Sequence, residues 1–223
     1  AATAPTPSQV TWTQAGAPFP GNGQISAWAI APGNSNKVWA GTSQGRVFRT
    51  TTATTNNAGT AWQQVTPPFS DDAFISWLEV DPNDPNGDII YATNSQFGSE
   101  HVFRSANAGG SWSNISGNLP DIPVHTLAVM PGAPATLFVG TDLGVFVSNN
   151  TGASWAQMNT PNFANVVVES LEFENTATLY AFTHGRGAFR AAIGPESGGG
   201  EGEGEGEGEG EGEGEGEGEP QGE

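Results

Sequence analysis

The stretch Ser105-Ala106-Asn107-Ala108-Gly109-Gly110-Ser111-Trp112 decides the fold, because residues 55–62 and 148–155 repeat its pattern. All three copies read Ser/Thr-x-Asn-x-Gly-x-x-Trp, where x is any residue. The Asn side chain can bond nearby backbone N–H groups and the Gly can adopt a positive φ, so each copy predicts a tight turn. The Trp is expected to bury its ring against a sheet. The predicted structural positions are Asn57, Gly59, Trp62, Asn107, Gly109, Trp112, Asn150, Gly152 and Trp155.

Short β-strands are predicted around these turns. Four segments each contain three short runs of apolar, β-branched and aromatic residues, separated by clusters of Gly, Pro, Asn and Asp. The apolar residues in these segments do not recur with a helical period, so each segment is predicted to form strands joined by turns. The four segments are residues 25–50, 75–105, 124–148 and 168–190.

A fourth, outer strand is predicted after the turn in three of the four units. These strands begin at Ala61, Ser111 and Ser154. The last unit lacks one, and the same pattern appears instead at Val10–Gln14. Radially repeated four-stranded sheets form propellers, and a first strand that completes the last sheet closes the ring. The sequence therefore predicts an all-β, four-repeat β-propeller with four-stranded antiparallel blades, in which the N-terminal strand closes the last blade. Three modes of closure are compatible with the repeats: a small ring of four blades, two chains that pair into an eight-bladed ring, or insertion of Val10–Gln14 into a neighbouring chain.

The three Asn-Gly-Trp turns resemble the Asp-box (BNR) repeats of sialidases, sortilin-type receptors, xyloglucanases and photosystem assembly factors. The resemblance covers roughly residues 9–193. Asn57, Asn107 and Asn150 stand where the family has Asp, which keeps the turn-forming oxygen but removes the charge that would favour a metal. In the family these boxes lie at the periphery and serve the fold, so the resemblance implies a structural role for them.

Three regions are predicted: an N-terminal extension at residues 1–8, the propeller at 9–194 and a Glu-Gly low-complexity tail at 195–223. The chain begins with the small residues Ala1-Ala2-Thr3-Ala4, as mature exported chains do, which favours a secreted or cell-surface protein whose signal peptide has been removed. Cysteine is absent, so neither disulfides nor thiolate metal sites contribute.

Charge and hydropathy exclude two kinds of partner. The chain has six Lys and Arg residues against 24 Asp and Glu, a formal net charge of −18. Nucleic acid needs clustered Lys and Arg for its phosphates, so no nucleic-acid partner is expected. No apolar run approaches the roughly 18 residues of a membrane span, so no membrane insertion is expected.

The resemblance includes two classes of enzyme, sialidases and xyloglucanases. A sialidase needs three clustered arginines and a Tyr nucleophile, but Arg49, Arg104 and Arg190 fall at strand ends near the rim, and both tyrosines fall at core positions. A xyloglucanase-like glycosidase needs two carboxylic acids about 5 to 10 Å apart. In a propeller, the loops that join one blade to the next and the loops between the second and third strands share one face, which we call the loop face. The acids that could approach it are Asp71, Asp72, Asp121 and Asp142. Asp in such loops is ordinarily a turn residue. No catalytic residue is therefore assigned.

Five further residues are candidates for binding a ligand. His125 and Glu169 share a register position at the start of the innermost strands, which predicts a polar ring near the channel mouth. His184 and Arg186 lie in a predicted last-blade turn that could contact a partner. Trp28 and Trp77 fall on opposite strand faces: Trp28 is expected to pack between blades, and Trp77 to offer a stacking platform for sugar.

The tail alternates Glu and Gly from Glu201 to Glu219. Its composition predicts a disordered, self-repelling spacer. If the segment were extended, every Glu would lie on one face, and Ca²⁺ is the one cofactor that such carboxylates suggest.

The sequence thus favours a non-enzymatic extracellular propeller that acts as an interaction or structural module with a protein partner or with itself, including assembly into a fibre or surface array. The alternative is a polysaccharide-binding or xyloglucanase-type propeller fragment.

Overall fold

The computed structural model of the protein describes residues 23–54, 61–65, 68–69, 73–163 and 165–193, and these fold entirely as β-strands and turns, without a helix. Sheet I contains β1 (Ile25–Ala31), β2 (Asn34–Thr42), β3 (Val47–Thr50) and β4 (Gln63–Gln64). Sheet II contains β5 (Ile75–Val80), β6 (Ile90–Asn94), β7 (Val102–Ser105) and β8 (Ser113–Asn114). Sheet III contains β9 (Val124–Val129), β10 (Leu137–Thr141), β11 (Gly144–Ser148) and β12 (Ala156–Gln157). Sheet IV contains β13 (Val168–Asn175), β14 (Thr178–Thr183) and β15 (Gly187–Ala192).

Every sheet is an antiparallel meander in chain order, as the strand-turn-strand pattern predicts. The outer strands are shorter than predicted: each pairs over two residues and begins immediately after its tryptophan. The predicted closing strand Val10–Gln14 lies outside the described residues, and sheet IV shows three strands.

The side chains along the second strand of each inner sheet point alternately towards the preceding and the following sheet, and so build the core between the sheets. Ile90 packs towards sheet I, whereas its neighbour Tyr91 packs towards sheet III. In the same way Leu137 packs towards sheet II and Phe138 towards sheet IV. Successive side chains of a strand point to opposite faces, so each inner sheet is apolar on both. Three buried clusters result, one between each pair of consecutive sheets, and no such cluster of described residues joins sheet IV to sheet I.

The predicted Asn-Gly turns form as expected in the second and third copies. The Ser105 hydroxyl accepts the Gly109 N–H at 2.8 Å, and Asn107 Oδ1 accepts the Ser111 N–H at 2.8 Å. Residues 148–154 repeat both bonds, at 2.8 and 2.9 Å. The glycines adopt φ values of 86° and 83°. Asn57 and Gly59 of the first copy lie outside the described residues.

Each turn also docks on the sheet before it. The Trp155 indole donates to the carbonyl of Ile115 at 3.0 Å, and a Cβ added at Gly152 would lie 2.5 Å from the same oxygen. Gly109 approaches Val65 of sheet I in the same manner. These contacts agree with a structural role for the turns. Trp155 is buried, whereas Trp62 and Trp112 are half-buried, and Trp112 packs against the cluster between sheets I and II.

Candidate functional site

Two histidine–carboxylate pairs join the innermost strands of sheets III and IV to turns on the loop face. His125 Nε2 at the start of β9 lies 2.7 Å from Asp142 Oδ1 in the β10–β11 turn. Glu169 at the start of β13 lies 3.2 Å, through Oε1, from Nδ1 of His184 in the β14–β15 turn. The two sheets therefore use the same two positions with acid and base exchanged. His125 and Glu169 do share a register position, as predicted, but each bonds to a loop of its own sheet.

A third pair fixes the loop face of sheet II. The buried His101 places Nε2 3.1 Å from Asp121 Oδ1. Both oxygens of Asp121 also accept the Gly98 N–H, at 2.8 and 2.9 Å, so this carboxylate ties two loops together. A cavity of about 440 Å³ lies beside the pair. Sequence reasoning did not single out His101, although it follows a turn and directly precedes the apolar strand β7.

The four candidate aspartates do not form a described acid pair. Asp121 and Asp142 bond to different histidines in different sheets, which is a loop-fixing role consistent with the turn interpretation. Asp71 and Asp72 lie outside the described residues. Residues 184–186 form the predicted turn, with Gly185 at a φ of 81°, and the His184 and Arg186 side chains are exposed.

Arg49 of β3 and Arg104 of β7, in the third strands of sheets I and II, serve the fold. Arg49 donates to the carbonyl of Ala108 at 3.1 Å, which joins sheet I to the turn of sheet II. The Arg104 guanidinium lies over the buried Tyr91 ring, 5.9 Å from its centroid. Neither group lies free for the carboxylate of a substrate.

A cleft of about 450 Å³ runs along the inner strands β1 and β5, with Glu172 of β13 at its edge. Trp28 lines it with 68% of its surface exposed, so the single chain does not bury this ring between its blades as expected. Trp77 is half-buried, packs against the cluster between sheets II and III, and donates its indole N–H to Glu79 Oε2 at 3.2 Å. The more accessible aromatic surface in the cleft therefore belongs to Trp28.

Glu79 is the most perturbed acid of the described residues. Burial raises the pKa of this carboxyl from 4.5 to about 7, and the nearby charges of Glu172 and Asp81 act in the same direction. The bond from Trp77 opposes the shift without cancelling it. Sequence reasoning missed Glu79. The available signal was that it stands at the position where sheets I and III carry Ala29 and Ala128.

Metal binding finds no support within the described residues, which bring no three His, Asp or Glu side chains together as a metal site. No helix able to cross a membrane occurs among them either. The Glu201–Glu219 segment, to which Ca²⁺ was assigned as a candidate, lies outside the described part of the chain.

Comparison with solved structures defines the class of the protein as a β-propeller. The GH74 enzyme of Niastella koreensis is 16% identical with a TM-score of 0.55, over 71% of this chain and 26% of that one. YCF48 bound to D1 peptide is 14% identical with a TM-score of 0.54, over 74% of this chain and 50% of that one. The computationally designed Ika4 protein is 13% identical with a TM-score of 0.57, over 82% of this chain and all of that one.

These likenesses show the fold and nothing more, because the sequence identities all lie below 25%. The chain spans about a quarter of the length of the GH74 enzymes it matches. No protein-family model matches the sequence. No curated protein matches it either.

Proposed function

We propose that the chain is a non-enzymatic, extracellular β-propeller of the Asp-box type, built of four repeats, that serves as a protein-interaction or structural module. One observation carries this proposal: the innermost strand of sheet I presents Ile25, Trp28 and Ile30 to solvent. We call these three residues the β1 face. Single exposed apolar side chains are ordinary on a surface, but a contiguous apolar strand face marks an interaction site.

The polar groups of the loop face support a binding role more than a catalytic one. Each of the three histidines pairs with a carboxylate, and two of the three arginines considered for a sialidase, Arg49 and Arg104, contact a backbone carbonyl and an aromatic ring. YCF48, which shares the fold, is a propeller bound to a peptide, and a peptide partner fits the apolar β1 face.

A spacer or assembly role is proposed for the acidic tail. Twelve of the 24 acids lie between Glu196 and Glu223, where Lys and Arg are absent, and repulsion among these charges suits a spacer. Assembly of propellers into a fibre or surface array would use the tail with Ca²⁺ as the bridging cation.

Carbohydrate binding is the second candidate function, and the β1–β5 cleft favours it. Trp28 offers an exposed ring beside the carboxylates of Glu79 and Glu172. Aromatic faces and carboxylates are the usual means of holding sugars, and two carboxylic acids are the minimum for hydrolysing them. The GH74 likeness supports this candidate only at the level of the fold.

Selection of peptides separates the two candidates. Peptides from a random display library would be enriched on the purified chain, and their affinities measured on the chain and on Trp28→Glu and Phe97→Glu variants. Phe97 is the matched control, because it is 67% exposed and lies in the β6–β7 loop. We expect Trp28→Glu to weaken the selected peptides at least tenfold and Phe97→Glu to leave them unchanged.

Binding or hydrolysis of xyloglucan oligosaccharides, measured by calorimetry and by release of reducing ends, tests the carbohydrate alternative. Sugar binding lost in Trp28→Glu, together with no selectable peptide, would replace the proposed function by the alternative.

A further inference from the structure

The inner strands of sheets II, III and IV all bury the same register position against the preceding sheet. Leu78, Leu127 and Leu171 occupy it and are each at most 2% exposed. Strand pairing places Trp28 of sheet I at this position, since all four residues pair with the third residue from the C-terminal end of the neighbouring strand. The β1 face is therefore the half of a sheet–sheet interface that the described residues leave uncovered.

Sheet IV carries the opposite half. Tyr180 stands at the register position of Trp39, Tyr91 and Phe138, which all pack on the sheet that follows them and are almost completely buried. Tyr180 is only half-buried. The Phe182 ring stacks on it with 6.4 Å between centroids and is 44% exposed. We call Tyr180 and Phe182 the β14 face.

The β14 face differs at one position from the faces of sheets I and III that the next sheet covers. Phe182 stands where those sheets have Gly41 and Gly140, and there an added Cβ would lie only 2.7 Å from Ile75 and from Val168 respectively. A sheet packed on the β14 face must therefore lie further from β14 to make room for the Phe182 ring. Ile75 and Val168 begin the inner strand of the next sheet. In sheet I the strand begins with the exposed Ile25, so a sheet packed on the β14 face would bring that side chain against Phe182.

Resting on the proposed interaction function and naming its partner, we propose that two copies of the chain pair so that the β1 face of each packs on the β14 face of the other. The contact continues the interface that the chain already builds three times between its own sheets. Two identical contacts related by a two-fold axis leave neither face open, so the assembly closes at two copies with eight sheets in one ring.

Polar groups agree with this pairing. Glu172 pairs across the strands with Tyr180, so it lies on the same side of sheet IV as the β14 face. At the equivalent position of sheet II, Glu79 is accommodated between sheets by the indole N–H of Trp77. In the pair of chains, Trp28 of the second copy brings an indole N–H to the side of the interface where Glu172 lies.

The mass of the full chain in solution tests the pairing. Sedimentation equilibrium and light scattering should give twice 23.0 kDa for the wild type and for Phe97→Glu. Trp28→Glu and Phe182→Glu should each give the single mass, because a buried carboxylate without a partner opposes association. Both substituted residues are exposed in the single chain, and unchanged thermal melts would show that the variants still fold.

Mixing the two variants gives the sharper test. A Trp28→Glu copy and a Phe182→Glu copy share one contact that is unmodified on both sides, so an affinity-tagged variant should recover the other from the mixture although neither pairs with itself. A single-mass wild type, an open-ended series of masses, or a dimer indifferent to both substitutions would each overturn the proposal. A single-mass wild type would still leave Trp28-dependent peptide binding, and so the proposed function, to be judged separately.

Discussion

Glu79 makes the stability of the propeller depend on pH through one side chain. Its pKa is about 7 in the folded protein against 4.5 for an ordinary Glu, so the folded state binds more protons than the unfolded state between those values. This contribution is fully present below pH 4.5 and is lost as pH rises through 7. At one pKa unit per 1.36 kcal/mol, the loss by pH 8 is at most about 3 kcal/mol.

We therefore expect Glu79→Gln to raise the free energy of unfolding by about 1 to 3 kcal/mol at pH 8 and to change it little at pH 4, where the carboxyl of the wild type is already protonated. Urea denaturation at both pH values measures the difference. The exposed Glu100 supplies the control, because Glu100→Gln removes the same charge at the surface. Equal shifts for both variants at pH 8 would mean that Glu79 is not desolvated.

The Asn-Gly-Trp turn is the element that holds consecutive sheets together, and Gly152 is its tightest point. This glycine has a φ of 83°, and an added Cβ would meet the carbonyl oxygen of Ile115 at 2.5 Å. Gly132 has nearly the same φ, 81°, with no atom within 4 Å of the added Cβ. The two glycines share the backbone strain and differ in the contact with the neighbouring sheet.

Gly132→Ala is expected to cost about 1 to 2 kcal/mol, the penalty of a left-handed backbone for an L residue. Gly152→Ala should cost at least about 1 kcal/mol more, because the clash forces the turn away from sheet II. Chemical denaturation of both variants measures the two costs. Equal costs for the two variants would mean that the contact of this turn with sheet II does not stabilise the protein.

Much of the element level could be predicted from the sequence, because turns and alternating strands are local. Residues 105–112 and 148–155 fold through the Ser and Asn side chains that their pattern indicates. The positive φ of Ala108 and Thr151, 55° and 57°, could not be predicted, since neither residue favours that conformation and the docked turn imposes it.

Long-range packing explains why the exposure of Trp28 and the raised pKa of Glu79 could not be predicted. Strand alternation correctly placed Trp28 and Trp77 on opposite faces, but the burial of Trp28 depends on whether another sheet covers β1. The raised pKa of Glu79 likewise depends on what packs around β5, including Glu172 from a strand more than 90 residues away. Neither the residues nor their spacing contain that information.

At the scale of the whole molecule, charge opposes the pairing of two copies and the apolar faces favour it. Each chain carries a formal net charge of −18, and half of its acids lie from Glu196 onward. Like charges repel over roughly 8 to 10 Å at physiological salt, so bringing two such chains together has an electrostatic cost that salt reduces. The contact between the β1 and β14 faces is apolar and is little affected by screening.

Deleting Ser197–Glu223 should therefore strengthen the pair, with a lower dissociation constant at low salt and a smaller difference between 20 mM and 300 mM NaCl, both read by sedimentation equilibrium. The deletion removes most of the excess negative charge and leaves the β1 and β14 faces untouched. If the same deletion abolishes association, and Ca²⁺ restores it only to the full-length chain, the tail carries the assembly. The open faces of sheets I and IV would then be surfaces for a different partner.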